Sequence, residues 1–402
     1  MLCQFTFNNY KSYKDETVFD MQAAAITEFN ESLLSNEKDW TKSFLPVSVI
    51  YGPNGGGKSN LLSALSCLVT MVVNPIVELQ KSKVNVISNK QDACTPFLFN
   101  DISRQASSSF EVFFRTEGNE YRYILSSLFG KVTEECLYRR SVGGRKTATI
   151  FKRDDSVVKL GASISKRGVN INVNPKLPYL SFLAINYNFD VITEVQKWFE
   201  SCIIHSYKGL NSVKGMNTAE AREAKEKLVS FLNDMGIGIS DYRFDETSEQ
   251  FYIAREILGK SYELDLLSES EGTIKLFGML PVILVSLLEG RLIVIDELDT
   301  KLHPKLLRYI IMLFKNPAIN KNGAQLLFTS HDLSTMKSEV FRRDEIWFAA
   351  KNDNESSEIY SLYEIRKEDN TRIKTTAAFD KQYLEGRYGA DPYLANMLKW
   401  EV

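Results

Sequence analysis

The sequence has few cysteines and no excess of either charge. Its five cysteines are widely spaced and form no Cys-x-x-Cys pair, so they are predicted to be reduced thiols of a cytosolic chain. Lysine and arginine number 49 against 51 aspartates and glutamates, which gives a net charge of −2. This balance argues against a protein that coats nucleic acid with its whole surface, although it allows a local basic patch.

The sequence also lacks a long hydrophobic run and a signal peptide. Its most apolar stretch, residues 274–288, contains Lys275, Gly278 and Pro281, and it is shorter than the roughly 20 residues that cross a bilayer. The first residues have neither a basic start nor a long apolar run. With 402 residues, 44% hydrophobic and 25% charged, the chain is expected to be a soluble, cytoplasmic protein with no membrane partner.

A complete phosphate-binding motif is present at residues 52–59. The segment Gly-Pro-Asn-Gly-Gly-Gly-Lys-Ser matches G-x-x-x-x-G-K-[ST] and lies between a β-branched run and a helical apolar pattern. Glycines let backbone N–H groups surround phosphates at a helix N-terminus. Lys58 is predicted to neutralise the β- and γ-phosphates, and the Ser59 hydroxyl to hold Mg²⁺. The alternative, a glycine-rich hairpin before Lys-Ser, is disfavoured by the flanking strand and helix.

Two acidic residues follow a second apolar strand. Residues 292–295 are Leu-Ile-Val-Ile, and Asp296 and Glu297 come directly after them, at the strand end where ligands bind in open parallel sheets. Asp296 is predicted to hold Mg²⁺ through a water, and Glu297 to orient and deprotonate the attacking water. Alone, this pattern is as often a surface turn, but together with the phosphate-binding motif it favours a catalytic pair.

A histidine follows the next predicted strand at the same sheet edge. His331, in Thr-Ser-His-Asp, is predicted to contact the γ-phosphate or Glu297, and the alternative is a helix-capping histidine. His303 precedes Pro304 and is predicted to have a structural role at the start of the next helix. His205 has no recognisable context.

The segment 267–273 precedes the helix that leads to the acidic strand. Ser268 and Glu271 have the spacing of a capping box. In the functional interpretation, the serine hydroxyls, a glycine N–H and the helix N-terminus form a second anion site, used by a second subunit. The sequence leaves both interpretations open.

In their order, these motifs resemble those of the ABC-type ATPase heads of the RecF, Rad50 and SMC class. Residues 52–59 resemble the Walker A motif, 268–272 a diverged signature motif, and 292–297 the Walker B motif. Asp299 resembles the D-loop aspartate and His331 the switch histidine. The opening residues 7–13 are also similar to the start of that class.

Two further segments narrow the resemblance to stand-alone AAA/ABC-like ATPases of bacterial antiphage defence modules, the AbiL and RloA type. They are residues 295–304, Ile-Asp-Glu-Leu-Asp-Thr-Lys-Leu-His-Pro, and the tail at 380–390. The resemblance covers about the first 75 residues and most of 265–402. The usual Leu-Ser-Gly-Gly-Gln is absent, so which serine faces the nucleotide stays open, and Gln80, Gln91 and Gln105 all remain candidates for a Gln-loop glutamine.

The resemblance implies ATP and Mg²⁺ as cofactors and assigns the site residues. The catalytic residues are Glu297, Lys58 and His331, and the metal is held by Ser59 and Asp296. The residues implied to bind the nucleotide are Asn54, Gly55, Gly56, Gly57, Lys58, Ser59, Asn60, Ser268, Ser270, Gly272 and Asp299.

The expected fold is an α/β P-loop NTPase of the ABC-ATPase head type. It has a mainly parallel central sheet, an antiparallel β-subdomain and a helical insertion. Residues 23–43 are expected to be a partly helical connection, and helices are predicted at 191–204 and 217–235. The expected divisions are an N-terminal lobe with the P-loop, an antiparallel subdomain, a helical insertion with short strands, and a C-terminal lobe: 1–100, 101–190, 191–265 and 266–402.

The expected function is that of an ATPase that dimerises with ATP between two subunits. Because the helical insertion is too short for Rad50-like arms and too few residues follow Ala350 for a nuclease domain, the expected output is conformational control of a partner effector encoded nearby. Two alternatives stay open: a RecF-like repair factor with DNA as its partner, and a nucleotide-gated scaffold with little turnover. An ABC transporter subunit is disfavoured.

Overall fold

A six-stranded, mainly parallel sheet forms the centre of the protein. The computed structural model describes residues 1–36, 39–80, 94–164, 167–205, 219–245, 247–248, 250–367 and 370–390. Within the central sheet, β18 is antiparallel to its neighbour β17, and the other neighbouring strands run parallel. The strand order is β11 (Ile203–His205), β15 (Leu292–Ile295), β16 (Gln325–Thr329), β5 (Val47–Tyr51), β17 (Ile346–Lys351) and β18 (Ser357–Ser361).

Both faces of the central sheet are covered, which explains why its inner strands are continuous apolar runs. Every residue of β5, β15 and β16 is buried, as expected for parallel strands between two layers. Alternate side chains enter two separate cores: Ile50 packs in the first and Val49 in the second. The first core contains α1 (Lys58–Gln80), α3 (Tyr179–Asn186) and α4 (Asp190–Ser201); the second contains α5 (Ala219–Asp234), α6 (Glu271–Glu289), α7 (Pro304–Lys315) and α8 (Phe379–Leu384).

A seven-stranded antiparallel sheet packs on the α1 side. The predicted hairpins and meander are confirmed, including the pairing of residues 2–7 with 17–19. The chain's first two strands join this sheet beside β6, so it combines residues from both sides of the P-loop. Its order is β10 (Val157–Leu160), β9 (Ala148–Asp154), β8 (Lys131–Ser141), β7 (Asn119–Leu128), β6 (Ser108–Thr116), β1 (Leu2–Asn8) and β2 (Thr17–Asp20).

Two smaller sheets and one short helix complete the described elements. The three strands predicted between residues 241 and 265 are confirmed. The partly helical connection predicted at 23–43 is mostly wrong, because that stretch has one short 3₁₀ turn followed by a hairpin. These elements are β12 (Asp241–Asp245), β13 (Gln250–Ile257), β14 (Lys260–Asp265), β3 (Leu34–Asn36), β4 (Asp39–Phe44) and α2 (Asp101–Arg104).

The helix predicted at 191–204 is too long at its end. It ends at Ser201, and Ile203 and Ile204 form an edge strand parallel to β15; two β-branched residues suit a strand better than a helix end. The helix predicted at 217–235 is confirmed as α5, whereas its predicted capping residue Asn217 lies outside the described residues. Gln91, one of the three candidates for a Gln-loop glutamine, also lies outside the described residues.

Two helices are long and apolar enough to cross a membrane by length and composition alone. They are residues 58–79 of α1 and all of α6, whose 19 residues exceed the apolar stretch recognised in the sequence. In α6, Leu276, Phe277, Leu280 and Ile283 are at most 1% exposed inside the second core. Burial in the protein core therefore accounts for the apolar character of this helix.

Candidate functional site

The glycines of the P-loop adopt conformations and contacts that other residues cannot. The loop connects β5 to α1, and φ is 144° at Gly52, 79° at Gly55 and 114° at Gly57. A methyl group on Gly52 would overlap the carbonyl oxygen of Ala349 in β17. One on Gly57 would lie 2.5 Å from Ser357 Oγ. The loop is thus pressed against the neighbouring strands, which fixes the direction of its backbone N–H groups.

The Lys58 side chain lies across the loop. Its Nζ donates hydrogen bonds to the carbonyl oxygens of Gly52, at 2.8 Å, and Pro53, at 3.0 Å. Burial lowers the pKa of Lys58, and the nearby carboxylates of Asp296, Glu297 and Asp299 partly oppose this shift. A buried ammonium held by two neutral oxygens is well placed to exchange them for phosphate oxygens, which carry charge.

An N-terminal loop and β18 hold the P-loop in place through a group of hydrogen bonds, here called the brace. Tyr13 Oη donates to Gly57 O at 3.2 Å, and the Asn60 side-chain amide donates to Ser12 Oγ at 2.8 Å. Ser12 Oγ also lies 2.8 Å from Ser357 Oγ. The structure therefore places Asn60 in this brace, next to the predicted phosphate site.

One threonine hydroxyl fixes the acidic pair. Thr329 Oγ1, at the end of β16, donates to Asp296 Oδ1 at 2.5 Å and accepts the backbone N–H of Glu297 at 2.7 Å. Glu297 has a left-handed backbone with φ 49°, and its side chain is exposed at the sheet edge. Because β15, β16 and β5 are neighbours, the acidic pair and the P-loop share that edge.

Asp299 joins the acidic turn to the predicted switch histidine. Its Oδ2 accepts the backbone N–H of His331 at 3.1 Å. Its Oδ1 is buried and receives no hydrogen bond from the residues that the structure describes. A buried carboxylate oxygen without a hydrogen-bond donor is unfavourable.

The signature-like segment starts α6, and its cap is Ser270. Ser270 Oγ accepts the backbone N–H of Thr273 at 3.2 Å, and the Ser270 side chain is exposed. The capping box predicted between Ser268 and Glu271 is wrong. Ser268 ends a separate 3₁₀ turn, and Glu271 forms an ion pair with Lys301 at 2.7 Å.

A cavity of about 420 Å³ adjoins the P-loop on the His331 side. The C-terminal tail forms its outer wall, and Leu384 is 71% exposed there. Ser268, Ser270 and Gly272 are not among the residues that line it. The lining consists of Tyr51, Gly52, Pro53, Asn54, Ser330, His331, Leu333, Tyr383 and Leu384.

The side chains present fit a magnesium ion that arrives with the nucleotide. Within the described part of the chain, no three His, Cys, Asp or Glu residues cluster in a way that could hold a metal. Ser59 and Asp296 offer hard oxygen ligands, which Mg²⁺ prefers. It is usually bound by one or two such protein ligands together with waters and substrate phosphates.

The sequence profile of one protein family matches residues 47–337, which is more than half of the chain. That family is described as "AAA domain, putative AbiEii toxin, Type IV TA system". The chain belongs to this family. The match spans the P-loop, the signature-like segment, the acidic turn and His331, so the chain is an ATPase with an ABC-type head. No curated protein matches it.

Solved structures similar to this AAA-domain protein include SMC heads and RecF. The SMC head of Thermotoga maritima has 15% identity and a TM-score of 0.44, covering 90% of this chain and 98% of that one. The Pyrococcus furiosus Smc head bound to the C-terminal domain of ScpA has 11% identity and a TM-score of 0.39, covering 90% and 96%. The recombination mediator protein RecF of the RecFOR pathway has 14% identity and a TM-score of 0.29, covering 86% of this chain and 97% of that one. Similarities this distant give no information about the substrate or partner of this chain.

Several residues that shape the site were given no individual role from the sequence. Tyr13 and Ser357 reach the P-loop from opposite ends of the chain, and Tyr383 brings the tail to the cavity. Thr329 had a detectable signal, because a hydroxyl residue ends the strand next to the acidic pair. His303 has the structural role predicted for it: its Nδ1 caps α7 by accepting the Lys305 N–H at 3.2 Å.

A substitution at Gly52 is expected to destabilise the fold far more than one at Gly55. Gly52→Ala should lower the free energy of unfolding by about 3 kcal/mol or more, because the added methyl overlaps Ala349 and the backbone conformation is confined to glycine. Gly55→Ala is the matched control: no atom lies within 4 Å of its added methyl, so only the backbone cost of about 1 kcal/mol remains. Urea unfolding without nucleotide measures both. Equal losses would contradict the packing of the loop on β17.

Proposed function

We propose that this ATPase is a nucleotide-driven switch that hydrolyses ATP between two copies of the chain and controls a partner effector. The observation that carries the proposal is the arrangement at one sheet edge. The Lys58 ammonium, the carboxylates of Asp296 and Glu297, and the Asp299–His331 hydrogen bond all lie at the ends of neighbouring strands.

Each side chain has a role in this proposal. Lys58 leaves the Gly52 and Pro53 carbonyls and pairs with the β- and γ-phosphates. Ser59 and Asp296 would hold Mg²⁺, which supplies additional positive charge to the phosphates when bound. Glu297, exposed and oriented by its backbone contact with Thr329, positions a water in line with the β–γ bond and takes its proton. His331 contacts the γ-phosphate and, through Asp299, senses its loss.

The second half of each ATP site comes from another copy of the chain. The Ser270 side chain is exposed and lies outside the lining of the P-loop cavity. An exposed helix N-terminus that carries a serine hydroxyl suits the γ-phosphate of an ATP held elsewhere. Two such copies, related by a two-fold axis, would enclose two ATP molecules.

Dimerisation of a Ser270 variant tests this arrangement. Aspartate caps a helix as well as serine does, so Ser270→Asp keeps α6 intact but places a carboxylate against the γ-phosphate. Ser270→Asn caps equally well without the charge and is the control. In a Glu297→Gln background that retains ATP, light scattering should show an ATP-dependent dimer for Ser270→Asn and a monomer for Ser270→Asp. Equal dimerisation of both would remove the signature assignment.

A charged residue at Gly272 is a poorer probe of the same interface. A methyl group on Gly272 would lie 2.7 Å from Lys301 O within the same chain. Its substitution would therefore disturb α6 and the acidic turn before any second copy arrived. Ser270 is exposed, and aspartate or asparagine can replace its capping hydroxyl, so its variants separate the two effects.

The partner effector is proposed to belong to an antiphage module. The family's association with a toxin–antitoxin system supports a paired arrangement. Cells that express the chain with and without its neighbouring genes should be challenged with phage. Protection is expected only with the neighbour present, and protection by the chain alone would contradict effector control.

A further inference from the structure

Lys275 connects the first turn of α6 to the turn that carries Glu297. Its Nζ donates to three backbone carbonyl oxygens of that turn: Leu298 O at 2.9 Å, Glu297 O at 3.2 Å and Thr300 O at 2.5 Å. These oxygens converge on one point, where their partial negative charges would repel each other without a cation. An ammonium with three donors suits this position.

The same two segments are held together at two more points. Glu271 forms an ion pair with Lys301, and Gly272 approaches Lys301 O so closely that no side chain fits between them. The turn contains two residues in the left-handed conformation, Glu297 with φ 49° and Lys301 with φ 62°. Such conformations are unfavourable for residues with side chains and persist only where surrounding contacts impose them. Lys275 supplies three of those contacts.

The two segments belong to different ATP sites in the proposed dimer. Ser270 and Gly272 face the ATP bound by the other copy, whereas Glu297 acts on the ATP bound by Lys58 of its own chain. Lys275 joins these two segments. Binding of the α6 N-terminus to one ATP can therefore change the position of Glu297, the general base that acts on the other ATP.

We propose that Lys275 is a positioning residue that sets Glu297 for hydrolysis at its own chain's P-loop once the signature-like segment has engaged the second ATP. This inference rests on the proposed function. The Lys275 Nζ is engaged with the backbone of the acidic turn and not with the P-loop, so Lys275 is expected to act on turnover and to leave ATP affinity unchanged.

Steady-state hydrolysis with Lys275 variants gives the first test. Lys275→Met keeps the length of the side chain but removes the donors, and kcat should fall about 10- to 100-fold with KM nearly unchanged, the range for lost hydrogen bonds to a charged group. Lys275→Arg should recover most of the rate, because a guanidinium still donates several hydrogen bonds. Lys260→Met, at an exposed hairpin, is the control. A kcat unaltered by Lys275→Met, or an effect on KM alone, would overturn the proposal.

Mixed dimers show which site Lys275 serves. When one copy carries Lys275→Met and the other Glu297→Gln, the only competent base is beside the altered lysine, and turnover should be low. When both substitutions are in one copy and the other is wild type, the competent base retains its lysine, and turnover should be near that of the Glu297→Gln/wild-type dimer. The reverse result, a near-normal rate in the first arrangement and a low rate in the second, would mean that Lys275 acts through the α6 N-terminus on the other copy's site. Equally low rates in both would mean a general loss of the dimer, and either result would overturn the proposal.

Failure of the proposed function gives a different result. It would appear as a wild-type protein that neither dimerises with ATP nor releases phosphate. An active wild type that is insensitive to Lys275→Met would reject the Lys275 role and leave the ATPase switch in place.

Discussion

Glu297→Gln is expected to lower the rate of ATP hydrolysis by about 100- to 10,000-fold, the range for removing a general base. Glutamine has the shape of glutamate and should keep the left-handed turn, whose backbone contact with Thr329 does not involve the Glu297 side chain. It cannot accept the proton of the attacking water. ATP should still bind, because Lys58 and the P-loop are unchanged, so ATP accumulates on the variant.

Phosphate release under saturating ATP measures this effect, with ATP affinity determined on the same samples. Glu358→Gln, an exposed glutamate on β18, is the matched control and should keep the wild-type rate. An unchanged rate for Glu297→Gln would place the base elsewhere. Equal, near-zero rates for the variant and the wild type would favour the nucleotide-gated scaffold.

Lys58→Ala is expected to weaken ATP binding by about 100-fold or more, because the variant loses charge-assisted hydrogen bonds to phosphate, each contributing about 1.5–3 kcal/mol. Lys58 is 6% exposed, so the change also leaves the carbonyls of Gly52 and Pro53 without their donor. The loss in affinity should therefore be accompanied by a change in loop conformation.

Titration with a fluorescent ATP analogue measures the affinity of this variant. Lys374→Ala removes an exposed lysine far along the chain from the P-loop and is the control. Retained affinity in Lys58→Ala would show that the phosphates bind elsewhere, for example in the cavity wall formed by the tail, and would remove the P-loop assignment.

The central sheet was predictable because its strands are unusually clear in the sequence. Buried parallel strands are continuous apolar runs, and polar residues that follow β15 and β16 must meet at one edge once these strands pair. The P-loop, Asp296 and His331 could therefore be placed relative to each other from the sequence. The edge strand β11 was missed, since a three-residue strand directly after a helix has no periodicity of its own.

Contacts between distant parts of the chain were not predictable. The spacing of Ser268 and Glu271 allows a capping box, one of two interpretations of that segment, whereas in the structure Ser270 caps α6 and Glu271 pairs with Lys301 thirty residues later. In the sequence, Lys275 is only a charge that interrupts an apolar run, whereas in the structure it binds three carbonyls of the acidic turn. Local sequence patterns predict where helices and strands lie. Contacts between residues far apart in the sequence depend on how those helices and strands pack, which the patterns do not give.

The most direct test of the account mixes two inactive variants. Lys58→Ala lacks a working P-loop, and Ser270→Asp lacks a working signature segment, so each alone should hydrolyse almost no ATP. A mixed dimer contains one site with both halves intact. Since random pairing makes half of the dimers mixed and one of their two sites works, the upper limit is about a quarter of wild-type turnover. The working site's Glu297 lies in the copy whose signature-like segment faces no ATP, so the proposed role of Lys275 lowers the recovered rate by about 10- to 100-fold below that limit. A mixture no more active than its components would contradict an ATP site shared between two copies.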